Sequence, residues 1–132
     1  MSDTQSRTRV TEVGRVMIPV ADQDKAIAFY VKKLGFEKRA DIPFGDGDRW
    51  VEVALAGAST ALALVMPREG EPTGINTRTA LTCEDVDATY ADLRAHGVDV
   101  DAEVMRMGGP VPPMFFFRDQ DGNTLLMVQA AG

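Results

Sequence analysis

Two stretches of this chain, 63 residues apart, read as copies of one another: Gly14-Arg15-Val16-Met17-Ile18-Pro19-Val20-Ala21-Asp22-Gln23-Asp24 and Thr77-Arg78-Thr79-Ala80-Leu81-Thr82-Cys83-Glu84-Asp85-Val86-Asp87. Each runs as a strand into an Asp-x-Asp helix start. A duplication of this length constrains the fold more than any other feature, because the shape one half adopts is expected of the other. With 132 residues the chain suits one domain with a continuous core. Each half is too short to be comfortable alone, so the two are expected to pack together.

In the first copy, Val16, Ile18 and Val20 alternate with Arg15, Met17 and Pro19, which predicts a strand over about Val13 to Val20 with one apolar face. Asp22 caps a helix whose Ile27, Tyr30, Val31 and Leu34 share a face, and Gly35 stops it. Three strands follow, at about Phe36 to Ile42, Arg49 to Ala56 and Thr60 to Met66, separated by Gly-rich turns. The second copy repeats the pattern: a strand over Asn76 to Cys83, a helix over Asp85 to His96, and strands over Val98 to Met105, Pro113 to Arg118 and Thr124 to Gln129. The last two are joined by Asp119-Gln120-Asp121-Gly122, an Asp-Gly hairpin signal. The expected organisation is a flexible tail over 1–10 and a single domain over 11–132. Within it, module one covers about 13–66, a Pro- and Gly-rich linker 67–75 and module two about 76–130, each module βαβββ.

Composition narrows the function classes. The start of the chain has no apolar stretch and no apolar run reaches a membrane span, so a cytoplasmic protein without a membrane role is expected. A net charge of −6 argues against nucleic acid, which needs a concentrated basic surface. Cys83, the only cysteine, excludes an internal disulfide and reads as a packed thiol. His96, the only histidine, sits beside the helix stop Gly97, where an exposed side chain meeting the helix dipole is the plain reading.

Val20-Ala21-Asp22, then Phe29-Tyr30 and Leu34-Gly35-Phe36, with Phe-x-x-Asp-x-Asp-Gly-Asn over Phe116 to Asn123, resembles the vicinal oxygen chelate superfamily. That group includes glyoxalase I, bleomycin-resistance proteins, fosfomycin-resistance enzymes and extradiol dioxygenases. The resemblance implies an α+β fold: two tandem βαβββ modules with curled mixed sheets forming a cup, helices outside, often completed by a second subunit. In metal-using relatives four His, Glu or Gln side chains enter the cup from the first and last strand of each module. Carried over motif by motif, those positions are Arg15, Ala63, Arg78 and Leu126. Arginine has no lone pair to give, and alanine and leucine have no donor atom, so a metal centre of the family type is not expected there. No other cofactor is expected either.

Strand alternation then selects the residues expected to line the cup: Arg15, Met17, Trp50, Glu52, Arg78, Phe115 and Phe117, with Phe116, taken as the counterpart of Val53, directed to the core. Packing or a dimer contact is the alternative reading of the aromatic residues. Glu52 has two readings: partner of a half-buried arginine, or general base. A methionine-, glycine- and proline-rich loop, Met105 to Met114, is expected to form the rim. The leading function is a metal-independent binding protein for an aromatic or amphipathic small molecule, sequestering an antibiotic or toxic metabolite as a homodimer. The alternative is a metal-independent isomerase, lyase or cyclase using Glu52 and the cup arginines. A metal-dependent glyoxalase or dioxygenase stands last.

Overall fold

In the computed structural model, residues 8–131 are described, so most of the expected tail, residues 1–7, lies outside the described residues. The chain forms β1 (Arg15–Pro19), α1 (Gln23–Ala28) continued by a π-helical turn (Phe29–Lys33), β2 (Glu37–Phe44), β3 (Asp48–Ala54) and β4 (Ala61–Val65). It then forms β5 (Asn76–Cys83), α2 (Val86–Ala95), β6 (Asp99–Val100), β7 (Met114–Arg118) and β8 (Thr124–Gln129). The strands make two four-stranded mixed sheets, ordered β1-β4-β3-β2 and β5-β8-β7-β6. In each, the first strand runs parallel to the last and the remaining pairs are antiparallel. The duplication is therefore two copies of one open sheet with a helix on one side.

Both helices start as the Asp-x-Asp motif dictates. Asp22 accepts the Lys25 amide at 3.0 Å and Asp85 accepts the Ala88 amide at 3.1 Å, each satisfying one of the free donors of a first turn. Their ends differ. The offset between copies is 63 at these caps but 62 at the terminating glycines, Gly35 and Gly97. The π-helical turn absorbs the extra residue of module one. It places two consecutive aromatic residues, Phe29 and Tyr30, on the buried side.

One expected strand is mostly lost. Of Val98 to Met105, only Asp99 and Val100 pair with β7; after a gap, Met105 returns in an isolated bridge to Met114. Asp101 explains the interruption. Its carboxylate accepts the Phe116 amide at 3.3 Å and the Arg118 guanidinium at 2.8 Å, bonds that compete with a regular ladder.

The helix-bearing sides of both sheets share one core, in which Ile18, Val51, Val53 and Leu64 of module one join Val86, Phe115, Phe117 and Leu125 of module two. The modules are tied by the hairpin Asp119 to Asn123. Tyr30 donates its hydroxyl to Asp119 Oδ2 at 2.8 Å, and the Ala21 amide donates to Asp121 Oδ2 at 2.9 Å. Asn123, fully buried, accepts from the Gly74 and Ile75 amides at 2.9 and 3.0 Å and donates to the Pro19 carbonyl at 2.8 Å. Burial, and then the charge of Asp119, pushes the Tyr30 phenol far above its ordinary range, so it serves as a neutral donor. The acidic hairpin motif that carried the resemblance is thus a fastening between modules.

Candidate functional site

The sheet faces opposite the core carry the candidate site. On module one, β1 aims Arg15 and Met17 outward because Val16 and Ile18 face the core, and β3 aims Trp50 and Glu52 outward because Val51 and Val53 are fully buried. Glu52 Oε2 accepts two hydrogen bonds, from Arg15 Nε at 2.7 Å and from Trp50 Nε1 at 2.6 Å. The Arg15 guanidinium, and then the indole, hold the Glu52 carboxyl below its ordinary range. Of the two readings of Glu52, the structure realises the ion pair. The arginine side chain remains 55% exposed while that of Glu52 is 13% exposed, so the pair is open from the arginine side. Beside it, Met17, Phe44, Trp50, Val65 and Met66, with the charged Asp48, Arg49, Arg68 and Glu71, line a depression of about 580 Å³.

Module two is built differently at the matching point. Arg78 has φ +57°, a left-handed backbone rare for any residue but glycine, within a register shift between Asn76 and Ala80. Side chains hold that bulge. Asn76 Oδ1 accepts the Arg78 amide at 3.0 Å, Thr77 Oγ1 accepts the Thr79 amide at 3.2 Å, and the Thr77 hydroxyl donates to the Thr124 carbonyl at 2.8 Å. Arg78 and its neighbour Ala80 line a pocket of about 170 Å³ with Phe116 and Leu126. Among the described residues the Arg78 guanidinium has no ion-pair partner.

Two candidate residues are misplaced by the sequence reading. Phe115 and Phe117 are fully buried in the core rather than in the cup, Phe115 lying edge-on to Tyr90 with ring centroids 5.1 Å apart. Phe116, assigned to the core, faces outward. The strand pairs show why: Glu52 lies opposite Ala63 and Phe116 opposite Leu126, so Phe116 is the counterpart of Glu52, at an offset of 64. The β3–β4 hairpin is one residue longer than the β7–β8 hairpin, and a slip of one residue exchanges the two faces of a strand. A signal was available in Ala63 and Leu126, whose partners fix the parity.

The structure brings Arg15, Trp50 and Glu52 together, with Met17 beside them, but not with Arg78. The two pockets have no lining residue in common, since the sheets meet through their helix-bearing sides and their open faces are separate. A single chain therefore presents two separate open faces. At the four positions that the resemblance assigns to metal ligands stand Arg15, Ala63, Arg78 and Leu126, whose side chains do not suit a divalent ion. Among the described residues no three His, Cys, Asp or Glu side chains converge on a cation site. No described helix is long and apolar enough to cross a membrane.

This architecture and motif order define a family. Residues 12–127 match the model of the Glyoxalase/Bleomycin resistance protein/Dioxygenase superfamily, and the chain belongs to it. Among solved structures it is similar to TnmS3, an antibiotic binding protein from Streptomyces sp. CB03234, at 37% identity and TM-score 0.79, covering 93% of this chain and 98% of that one. It is also similar to a superfamily member from Sphaerobacter thermophilus DSM 20745, at 33% identity and TM-score 0.85, covering 92% and 98% of the two chains. YetH of Bacillus subtilis (strain 168), an uncharacterized protein, is 33% identical over 121 residues, covering 89% of this chain and 98% of that protein.

Proposed function

We propose that this protein is a metal-independent binder of an aromatic or amphipathic small molecule, which it sequesters as an antibiotic or toxic metabolite. The observation that carries the reading is the residue set at the family's metal positions. Cationic and apolar side chains replace donors, and they stand beside Trp50 on one open face and Phe116 on the other. Such a surface suits a ring system bearing an anionic or polarised group, with Arg78 as its charge partner, because Arg15 is already neutralised by Glu52. The antibiotic-binding neighbour TnmS3 supports the ligand class.

The active form in this reading is a homodimer, in which the open face of module one meets the open face of module two from a second copy. Exposed Met17, Ile42, Phe44 and Met66 supply apolar surface for that contact. The enzymatic alternative, an isomerase, lyase or cyclase with Glu52 as base, has less support. Two donors on one carboxylate oxygen lower its pKa and make it a weaker base at neutral pH.

Native mass spectrometry of protein freshly purified from its own host tests the reading. The expected species is a dimer carrying an organic ligand that is recovered unaltered, with no transition metal. A monomer across a wide concentration range, a chemically altered ligand, or one tightly held metal per cup would overturn it.

A further inference from the structure

The seam between the modules is closed at one end and open at the other. At the closed end the Tyr30 ring packs edge-on to Phe29 and Phe36, with centroids 5.3 and 5.7 Å away, and its hydroxyl meets Asp119. At the matching end, where α2 faces the β3–β4 hairpin, Leu55 is the counterpart of Asp119 as the first residue of its hairpin. There α2, which has no π-helical turn, offers buried Leu93 and exposed Asp92 in place of two aromatic rings. Among the described residues Phe36 reaches the wall of this space, but no phenol ring occupies it. A cavity of about 270 Å³ remains, with apolar walls from Leu34, Phe36, Leu55, Leu81, Leu93 and Met127 and polar ones from Lys33, Thr82, Cys83, Thr89 and Asp92.

We propose that this cavity is a second binding site, distinct from the open faces, for a small phenol: one aromatic ring carrying a hydroxyl. The occupant is argued from the molecule itself, which fills the equivalent space with the phenol of Tyr30 and satisfies its hydroxyl on a carboxylate. Here the walls are mostly apolar, and the Asp92 carboxylate stands among them together with the Lys33 side chain. Among the described residues the Asp92 side chain makes no ion pair and accepts no hydrogen bond, so it is free to take a phenol proton donor. Size agrees, since an apolar cavity of about 150 Å³ already holds benzene. A mostly apolar concavity with a few converging polar groups, here open to solvent on the side of Leu55 and Asp92, is the usual form of a small-molecule site. The proposal does not rest on what the open faces bind.

The probe is p-cresol, the tyrosine side chain as a free molecule. Because Cys83 is the only cysteine and lines the cavity, its alkylation by iodoacetamide reports occupancy. The expected result is a saturable slowing, about tenfold when p-cresol stands at about ten times its dissociation constant. Leu55→Phe and Asp92→Tyr, two separate ways of filling the space, should each abolish the protection and raise the melting temperature. The Met127 methyl NMR signal gives an independent readout, shifting with p-cresol in the parent protein and not in either filled variant. Protection that persists in both variants, or p-cresol that moves Trp50 fluorescence while Cys83 and Met127 stay unchanged, would overturn the assignment. So would an unperturbed Cys83 and Met127 at saturating p-cresol.

Discussion

The two open faces share a backbone plan and differ in one decisive exchange: Glu52 on module one, Phe116 at its counterpart on module two. On the first, the carboxylate collects Arg15 and the Trp50 indole into a satisfied unit. On the second, an aromatic ring cannot pair with a cation in that way, and Arg78, on a bulged, left-handed backbone, has no ion-pair partner among the described residues. The same residue type at the same point of a duplicated fold is thus ion-paired in one copy and, among the described residues, without an ion-pair partner in the other. What stands across the strand pair decides which. The inter-module seam repeats the lesson, with Tyr30 and Asp119 closing one end and their counterparts leaving the other open.

The comparison is tested most severely at the closed seam. Tyr30→Phe removes a buried hydroxyl bonded to a carboxylate and should cost about 1.5 to 3 kcal/mol in urea unfolding, the range for hydrogen bonds to charged groups. The pH dependence has a definite sign. Since folding raises the Tyr30 pKa, its contribution is fully present below the ordinary tyrosine value of about 10 and is lost as pH rises beyond it. Stability of the parent should fall with alkaline pH more steeply than that of Tyr30→Phe. Equal slopes would show that Asp119 does not hold the phenol as described.

A smaller effect is expected at Glu52. Glu52→Ala breaks an ion pair whose arginine is largely exposed and strips the indole of its acceptor, for about 1 kcal/mol together. A shift in the emission of Trp50, the only tryptophan, should accompany it. With its pKa lowered on folding, Glu52 contributes stability above its ordinary carboxyl range that is lost as pH falls through the folded value. Acid titration of the parent against Glu52→Gln isolates that loss.

The smallest effect sharpens the contrast through opposite signs. Arg78→Gly relieves a left-handed residue and should leave stability unchanged or raise it by up to about 1 kcal/mol, while ligand affinity falls. Arg15→Gly puts glycine into a regular strand and should cost about 1 kcal/mol. Equal signs in urea unfolding would mean that the bulge at Arg78 carries no strain.

Much of this was legible in the chain. The duplicated Asp-x-Asp starts are helix caps in both modules, and the alternation in β1 and β3 places Arg15, Met17, Trp50 and Glu52 on the open face. Capping is a bond across three residues and alternation is a property of a single strand, so both can be read locally. The face shown by β7 could not be read that way. Its strongly apolar Met114 to Phe117 carries no alternation, and its parity follows from hairpin length and pairing with β8. Nor could the separation of the two open faces, which rests on how buried surfaces of distant segments meet. The residues that could stand beside Arg15 and Arg78 were visible as types; whether each arginine is neutralised or left available depends on contacts made across strands and between modules.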